Sequence, residues 1–217
     1  SHPDVPGGQR AKGNMSLVDL FPTLVDFASG EEPDPVIAPH LDGRSIVPLL
    51  RSEEEGRIDP ARGHVITGRE RHVAAAREGN LPYPQRAIRT KDYLYIRNFE
   101  PDRWPMGSPK GLQDPDHEIP YEKLEQNTFV AYPDLDASPT KAWMVQHRND
   151  PQWKTHFQLG FGKRPLEELY DLNKDPDYMH NVADDPAYED VRKQLWQQLL
   201  NTLKETGDPR VHGDGTT

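Results

Sequence analysis

The sequence predicts an α+β fold. Three observations carry that expectation: a paired run of strand-forming residues at 86–99, a further short strand at 167–172, and an amphipathic helix at 188–205. The other elements follow in chain order.

Residues 1–14 read as a loop rich in Pro and Gly. Ser16-Leu-Val-Asp19 opens a helical pattern, with Leu20, Phe21, Leu24, Phe27 and Ala28 on one stripe at 3.6-residue spacing. Pro22 fits this helix if Asp19 is its cap, because first-turn N–H groups have no intrahelical partner. Gly30 is the expected stop. Residues 31–44 read as loop, and Ser45-Ile-Val-Pro-Leu-Leu50 as a short apolar segment of about one helical turn. Residues 51–63 are charged and read as solvated, and His64-Val-Ile-Thr67 reads as a strand ending in Gly68.

The clearest β signal is Arg86-Ala-Ile-Arg-Thr90, a polar break at Lys91 and Asp92, then Tyr93-Leu-Tyr-Ile-Arg-Asn-Phe99. Two such runs around a short polar break predict a hairpin. Tyr93, Tyr95 and Phe99 are expected in the core, and Arg89 and Arg97 on the exposed side. Residues 100–164 read as a long irregular stretch, with a helix around residues 140–148. Trp104, Trp143 and Trp153 argue against disorder there. Long ordered loops are generally functional or wrap a core. Asp102-Arg-Trp104 is expected to anchor such a loop.

Glu167-Glu-Leu-Tyr-Asp-Leu172 reads as a strand, followed by turns at 173–177 and 181–186. The last helix carries Val191, Leu195, Trp196, Leu199, Leu200 and Leu203 on one face. Gly207 and Pro209 end it, and the tail beyond is expected to fray.

A chain of 217 residues suits one domain, or a domain plus a fragment. Only 34% of residues are hydrophobic, so any core is shared among long surface segments, and 22 prolines favour loops over long helices. The net charge of −10 argues against a binder of duplex nucleic acid, while leaving room for a local basic patch. The absence of cysteine excludes a disulfide framework and a thiolate metal site. No apolar run approaches the roughly 20 residues that span a bilayer. Residues 1–13 are polar and show no signal-peptide pattern. The chain begins without Met, which reads as a trimmed chain or a piece of a longer protein.

Four segments then stand in a telling order. Ser16-Leu-Val-Asp-Leu-Phe-Pro-Thr-Leu-Val-Asp-Phe-Ala28 resembles a helix of the form S-x-V-D-x-x-P-T-L-L-D, and Asp42-Gly-Arg-Ser-Ile-Val-Pro-Leu-Leu50 resembles D-G-x-S-L-x-P-L-L. Glu168-Leu-Tyr-Asp-Leu-Asn-Lys-Asp-Pro176 with Asn181-Val-Ala183 resembles E-L-Y-D-L-x-x-D-P-x-E-x-x-N-L-A. Tyr83-Pro-Gln-Arg-Ala-Ile-Arg-Thr90 with Thr206-Gly-Asp-Pro209 completes the set. Together they resemble the C-terminal portion of a sulfatase of the heparan N-sulfatase (N-sulfoglucosamine sulfohydrolase)-like group, in the alkaline-phosphatase superfamily. The chain departs from the pattern at Tyr178, where an acidic residue is common, and at residues 100–164, which match nothing closely.

The resemblance implies a large α/β domain and a smaller C-terminal subdomain, an antiparallel sheet packed by a C-terminal helix. Residues 1–50 would be the terminal segment of the first, and residues 51–217 the second. A sulfated carbohydrate substrate and the remaining N-terminal sulfatase domain are the implied partners, in a periplasmic or secreted setting. No nucleic-acid or membrane partner is expected.

Sulfatases use a formylglycine made from Cys or Ser in C/S-x-P/A-x-R. Its hydrated aldehyde attacks sulfur while Ca²⁺ in a hard oxygen-ligand set holds the sulfate, and Arg, Lys and His stabilise the developing charge. This chain has no Cys, and no Ser with Pro or Ala at i+2 and Arg at i+4; Ser1-His-Pro-Asp-Val5 places Val5 where Arg is needed. No catalytic residue and no metal ligand is therefore assigned here, and Ca²⁺ and formylglycine are expected in the missing N-terminal part. Asp184 and Asp185 read as turn and cap residues. The nine histidines show no H-E-x-x-H spacing. His117, His147 and His156 read as surface or packing residues, and His180 as structural. Asn14-Met-Ser16 reads as a helix cap before a glycosylation sequon.

The functional cluster is Arg69-Glu-Arg-His72 with Arg77, Tyr83 and Arg86, at the end of the first strand. By resemblance this loop faces the active-site cleft, so Arg69, Arg71, His72, Tyr83 and Arg86 are assigned to substrate binding. Guanidinium groups grip sulfate or carboxylate in a bidentate fork, and His72 offers a donor to a hydroxyl or sulfate. The plainer reading is a solvated charged loop with Glu70 pairing its arginines.

Two function classes follow. In the first, the chain is a sulfatase fragment that shapes the substrate pocket and completes the fold, inactive by itself. The second is a noncatalytic module binding anionic carbohydrate. An exposed apolar face on the first helix would favour a third, structural role, since such a face normally packs on a sheet.

Overall fold

The computed structural model describes residues 3–31, 34, 41–113 and 118–212. Four strands form one sheet in chain order: β1 His64–Arg69, β2 Gln85–Thr90, β3 Tyr93–Asn98 and β4 Glu167–Asp171. Lys91 and Asp92 close the β2–β3 hairpin, where Thr90 Oγ1 accepts the Tyr93 N–H at 3.0 Å and the Asp92 N–H at 3.3 Å. Antiparallel pairing throughout and a helix after the last strand make this the expected α+β class. By its internal packing the chain divides into two compact units, residues Ser1–Ile66 with Ile88–Tyr93, and Thr67–Ala87 with Leu94–Thr217.

The first unit contains α1, Leu20–Ser29, and α2, Val47–Arg51. Gly30 ends α1 as expected, at φ 78°, with its N–H on the Asp26 carbonyl at 2.8 Å. Asp19 does not cap α1 with its side chain. Its buried carboxylate instead accepts the N–H of Ser16 at 3.0 Å, the N–H of Arg44 at 2.9 Å and Nη1 of Arg62 at 2.8 Å. Arg62 Nη2 also donates to the carbonyls of Arg44 and Ser45, at 2.8 and 2.9 Å. The expectation that residues 51–63 are solvated thus fails at Arg62, whose side chain is 5% exposed. In the segment Asn14-Met-Ser16 the cap is Ser16, N-cap of the 3-10 turn Leu17–Asp19, while Asn14 Nδ2 donates to the Gly63 carbonyl at 3.0 Å.

These polar bonds decide which face of α1 turns inward. Pro22, Thr23 and Asp26 are buried, with Thr23 Oγ1 on the Ile46 N–H and Asp26 on Ser45 Oγ. The apolar stripe lies outside: Leu20, Phe21 and Leu24 are 52%, 57% and 67% exposed. Gly43 lies so close to the 3-10 turn Leu17–Asp19 before this helix that an added Cβ would stand 2.0 Å from the Val18 carbonyl oxygen, so no larger residue fits.

In the second unit, residues 100–164 are not irregular throughout. They contain α3 Tyr121–Gln126, α4 Pro139–Gln146 and α5 Lys154–Phe161. The helix anticipated around residues 140–148 is α4, which Ser138 caps by accepting the Lys141 N–H. A core of its own holds the lobe: Ile119, Leu124, Ala131, Tyr132, Ala142, Val145, Phe157 and Phe161. The Tyr132 ring meets Trp104, Phe157 and Phe161 edge-on, with centroids 5.0–6.0 Å apart. Trp104 is the loop anchor expected of it. The helices are short and the intervening turns proline-rich, which hides their periodicity.

Helix α6, Glu189–Glu205, buries Leu195, Leu199 and Leu203, each contributing about 1.5–3 kcal/mol. Trp196 packs beside Tyr95, with centroids 6.4 Å apart, and under the Arg97 guanidinium at 4.7 Å. Arg97 is therefore half-buried rather than an exposed hairpin residue, and it also pairs with Glu167 at 3.5 Å. Tyr95 is fully buried, as expected, and its hydroxyl donates to Glu167 at 2.6 Å. Asp185 caps the turn before α6 by accepting the Ala187 N–H at 2.9 Å. Among the described residues the tail does not fray after Gly207: Asp208 N–H bonds the Leu203 carbonyl at 2.8 Å, and residues 208–212 turn back on the helix.

Candidate functional site

Strand β1 ends at Arg69, and the chain then loops through Glu70, Arg71 and His72. One buried carboxylate sets the course of this loop. Asp134, whose side chain is fully buried, accepts the N–H of His72 at 2.9 Å and of Val73 at 2.8 Å on one oxygen. Its other oxygen takes Nη2 of Arg77 at 2.7 Å and lies 3.3 Å from Nη2 of Arg69. Burial pushes the Asp134 carboxyl upward, but the Val73 N–H, the Arg77 guanidinium and the His72 N–H outweigh it and hold the group below its ordinary range.

Arg77 is a staple rather than a ligand. It is 7% exposed, and it donates to the carbonyls of Trp104 at 2.7 Å, Pro105 at 2.7 Å and Leu81 at 3.4 Å besides Asp134. Its guanidinium also lies 5.6 Å from the Tyr83 ring centroid.

Arg86 spends all five of its N–H donors inside the protein. Nε and Nη2 bond the two oxygens of Asp208 at 2.7 and 3.2 Å, and Nη2 also bonds Glu70 at 2.8 Å. Nη1 donates to the carbonyls of Gln85 at 3.0 Å and Arg69 at 3.3 Å. Glu70 in turn takes Nε and Nη2 of Arg210, at 3.1 and 2.6 Å. Acid and base thus alternate from Asp208 through Arg86 and Glu70 to Arg210. Burial raises the Glu70 carboxyl, and the bonds from Arg210 and Arg86 lower it by more. Glu70 does pair arginines, but they are Arg86 and Arg210 rather than its sequence neighbours.

The five residues assigned to substrate binding therefore divide into two sets. Arg71 and His72 are exposed, Arg71 donating only to the Asn80 carbonyl among the described residues, and Arg69 is about 30% exposed. Tyr83 and Arg86 are buried, at 1% and 7%. The Tyr83 hydroxyl has no hydrogen-bond partner among the described residues. Burial pushes it up to about 12, with Glu168 adding and the Arg164, Arg77 and Arg69 cations opposing, so it stays a neutral donor at pH 7. An anion reaching this loop meets Arg71, His72 and the outer edge of Arg69 first.

Asp134, Asp208 and Arg210 support this loop and were not singled out from the sequence. Asp208 stands in the Thr206-Gly-Asp-Pro209 motif, so a signal for it existed. Asp134 stands in a stretch that matched no pattern. Among the described residues no group of three or more His, Asp or Glu side chains is arranged to hold a metal ion. His147 and His156 lie against Trp143 and Trp153, His180 is an exposed partner of Asp175, and His117 lies outside the described residues. No described helix is long and apolar enough to cross a membrane.

Comparison with known proteins gives this geometry its context. An ulvan-active sulfatase of Formosa agariphila is 27% identical over 206 residues, 93% of this chain and 31% of its own length. This chain is similar to sulfatases over most of its length. The N-sulphoglucosamine sulphohydrolase of Homo sapiens is 26% identical to this chain over 214 residues, 94% of the chain and 35% of the human protein. The chain thus spans about a third of the length of these curated relatives. No family model matches it. Among solved structures, a 2-O GAG sulfatase covers 88% of this chain at 19% identity with a TM-score of 0.47, the match spanning 25% of that protein. A phosphonate monoester hydrolase of Agrobacterium radiobacter covers 87% at 22% identity, with a TM-score of 0.41 and 24% of its own length.

Proposed function

We propose that this chain is the C-terminal portion of a larger sulfatase, a sulfuric ester or sulfamate hydrolase acting on sulfated glycans. In this reading residues 1–50 close the larger α/β domain and residues 51–217 form the subdomain that shapes the substrate pocket. The nucleophile and the Ca²⁺ ligands come from the rest of the enzyme, so the chain alone does not turn over substrate. A periplasmic or secreted setting goes with the same reading.

The observation that carries it is the orientation of α1. Asp19, Thr23 and Asp26 lock the polar side inward, while Leu17, Leu20, Phe21 and Leu24 stand 83%, 52%, 57% and 67% exposed. A continuous apolar face of this kind is a surface for another part of the protein. The sulfatase relatives, about three times as long, supply a source for that part.

Within the pocket, Arg71 and His72 are the groups offered to sulfate or carboxylate, with Arg69 at their back. Arg86 acts as a positioning residue, because its donors are already used. Asp134 and Glu70 hold the loop in the shape that presents Arg71.

Two measurements test the proposal. The coding sequence upstream of Ser1 is expected to contain C/S-x-P/A-x-R followed by the carboxylates for Ca²⁺; an open frame without them overturns the reading. The purified chain, supplied with Ca²⁺ and an aryl sulfate, is expected to show no turnover above buffer. Turnover that survives repurification would contradict it.

A further inference from the structure

We propose that the cavity at the C-terminal end of α4 is a second carbohydrate subsite, separate from the loop at 69–86, which takes a sugar ring carrying one anionic group. This rests on the glycan reading above and adds a place for a residue beyond the one held by Arg71.

The cavity encloses about 420 Å³, a size suited to one or two sugar rings and within the range of small-ligand pockets. Ile119, Leu124 and Val145 lie beneath it, each buried to 7% exposure or less, so they offer a ligand little apolar surface. Its rim is polar and includes Glu118, His147 and Arg148. The hydroxyls of a sugar find hydrogen-bond partners on such a rim.

The rim groups are held but not saturated. His147 Nδ1 pairs with the Trp143 carbonyl at 2.8 Å, and its ring stacks on Trp143 at 4.3 Å and 20°. Trp143 is braced in turn by Trp153 at 4.9 Å. Nε2 of His147 is thereby left for a ligand hydroxyl. Arg148 donates Nη1 to the Val145 carbonyl at 2.9 Å and makes no ion pair with an acidic side chain among the described residues. The His147 and Arg148 bonds to helix carbonyls are ordinary C-terminal caps. A cap uses one nitrogen of each, however, and the remaining Arg148 donors form a fork suited to a carboxylate or sulfate. Glu118 on the same rim accepts hydroxyl protons and repels a second anion, which argues for one charge on the bound ring rather than several.

The test titrates the 217-residue chain with a heparin-derived tetrasaccharide, following heat and tryptophan fluorescence, since Trp143 touches the rim. Saturable binding with a fluorescence change is expected. Arg148→Ala should weaken it at least about tenfold and His147→Ala about threefold, at a temperature where both variants remain folded. Arg148→Lys, which keeps the charge without the fork, should fall between and serves if the alanine variant does not fold. Affinity untouched by both Arg148 variants but lost in Arg71→Ala overturns the subsite and leaves the loop assignment intact. Flat titrations with the wild-type chain also overturn the subsite, while the fragment reading stands or falls on the upstream coding sequence.

Discussion

The Asp208 carboxylate meets the Arg86 guanidinium at two points, Oδ2 to Nε at 2.7 Å and Oδ1 to Nη2 at 3.2 Å, across 122 residues of chain. Both side chains are largely buried, and Arg86 carries Glu70 and through it Arg210. The end of the chain thereby holds the start of the loop that carries Arg71. Asp208→Ala is expected to cost about 3 kcal/mol, because it leaves a buried guanidinium without its main partner. Urea unfolding measures the loss, and a cost under about 0.5 kcal/mol would remove Asp208 from this role.

Asp134→Ala should act on the same loop from the opposite side. It strips the His72 and Val73 N–H groups and the Arg77 guanidinium of their acceptor. A loss of about 3 kcal/mol is expected, with faster amide exchange concentrated at residues 70–77. Exchange that rises evenly over the whole chain would mean that Asp134 supports the fold and not the loop.

Lys141 is 1% exposed, and its ammonium donates to the carbonyls of Thr128 at 3.1 Å, Tyr132 at 3.1 Å and Leu135 at 2.7 Å. Burial lowers its pKa to about 8, with Asp136 opposing. The unfolded chain holds this proton up to its ordinary value of 10.5, so between pH 8 and 10.5 it binds more protons than the folded chain. Lys141 thus adds stability as pH rises through that window. Lys141→Met should lose about 1–3 kcal/mol at pH 7 through three orphaned carbonyls. The gap between wild type and variant should widen from pH 8 to 10, and a gap that narrows would refute the assignment.

In acid the sign is the same. The carboxyls of Asp19, Glu70, Asp134 and Asp208 all lie below their ordinary values of 3.8 for Asp and 4.5 for Glu. In each, burial acts upward and is outweighed by hydrogen bonds and arginine charge. The stability they add is complete above the ordinary values and is lost as pH falls through the lowered ones. Urea midpoints should therefore drop steeply below about pH 4. A double variant Asp134→Asn, Asp208→Asn should show a shallower acid limb than the wild type.

The outward face of α1 calls for the opposite outcome. Leu24→Asp changes a residue 67% exposed, and should alter stability by no more than about 0.5 kcal/mol. It should also reduce any concentration-dependent association of the isolated chain, read by sedimentation velocity. A large loss of stability would mean that Leu24 is covered in solution within the chain itself.

Local pattern sufficed wherever an element's own side chains define its period or its turn. The β2–β3 hairpin was legible because aromatic and β-branched residues flank a two-residue polar break, and α6 because its leucines recur on one face. Within residues 100–164 only α4 was anticipated; α3 and α5, 6 and 8 residues long, are too short to display a stripe between prolines. The stripe on α1 was legible but its direction was not, since hydrophobic spacing marks a face without saying what lies opposite.

By itself the sequence determined the α+β class, the strand pairing around Lys91 and Asp92, the final helix and the sulfatase-like order of its motifs. Each of these is set by residues within a few positions of one another, where spacing and backbone preference act directly. Only the tertiary structure decided which arginines of the candidate site remain exposed. Arg71 and Arg86 look alike in a sequence. A buried guanidinium, however, must find acceptors, and those of Arg86 come from Glu70 and from Asp208, 122 residues further along the chain. Charge pairing over such a distance depends on where the fold places each carboxylate, which no local pattern encodes.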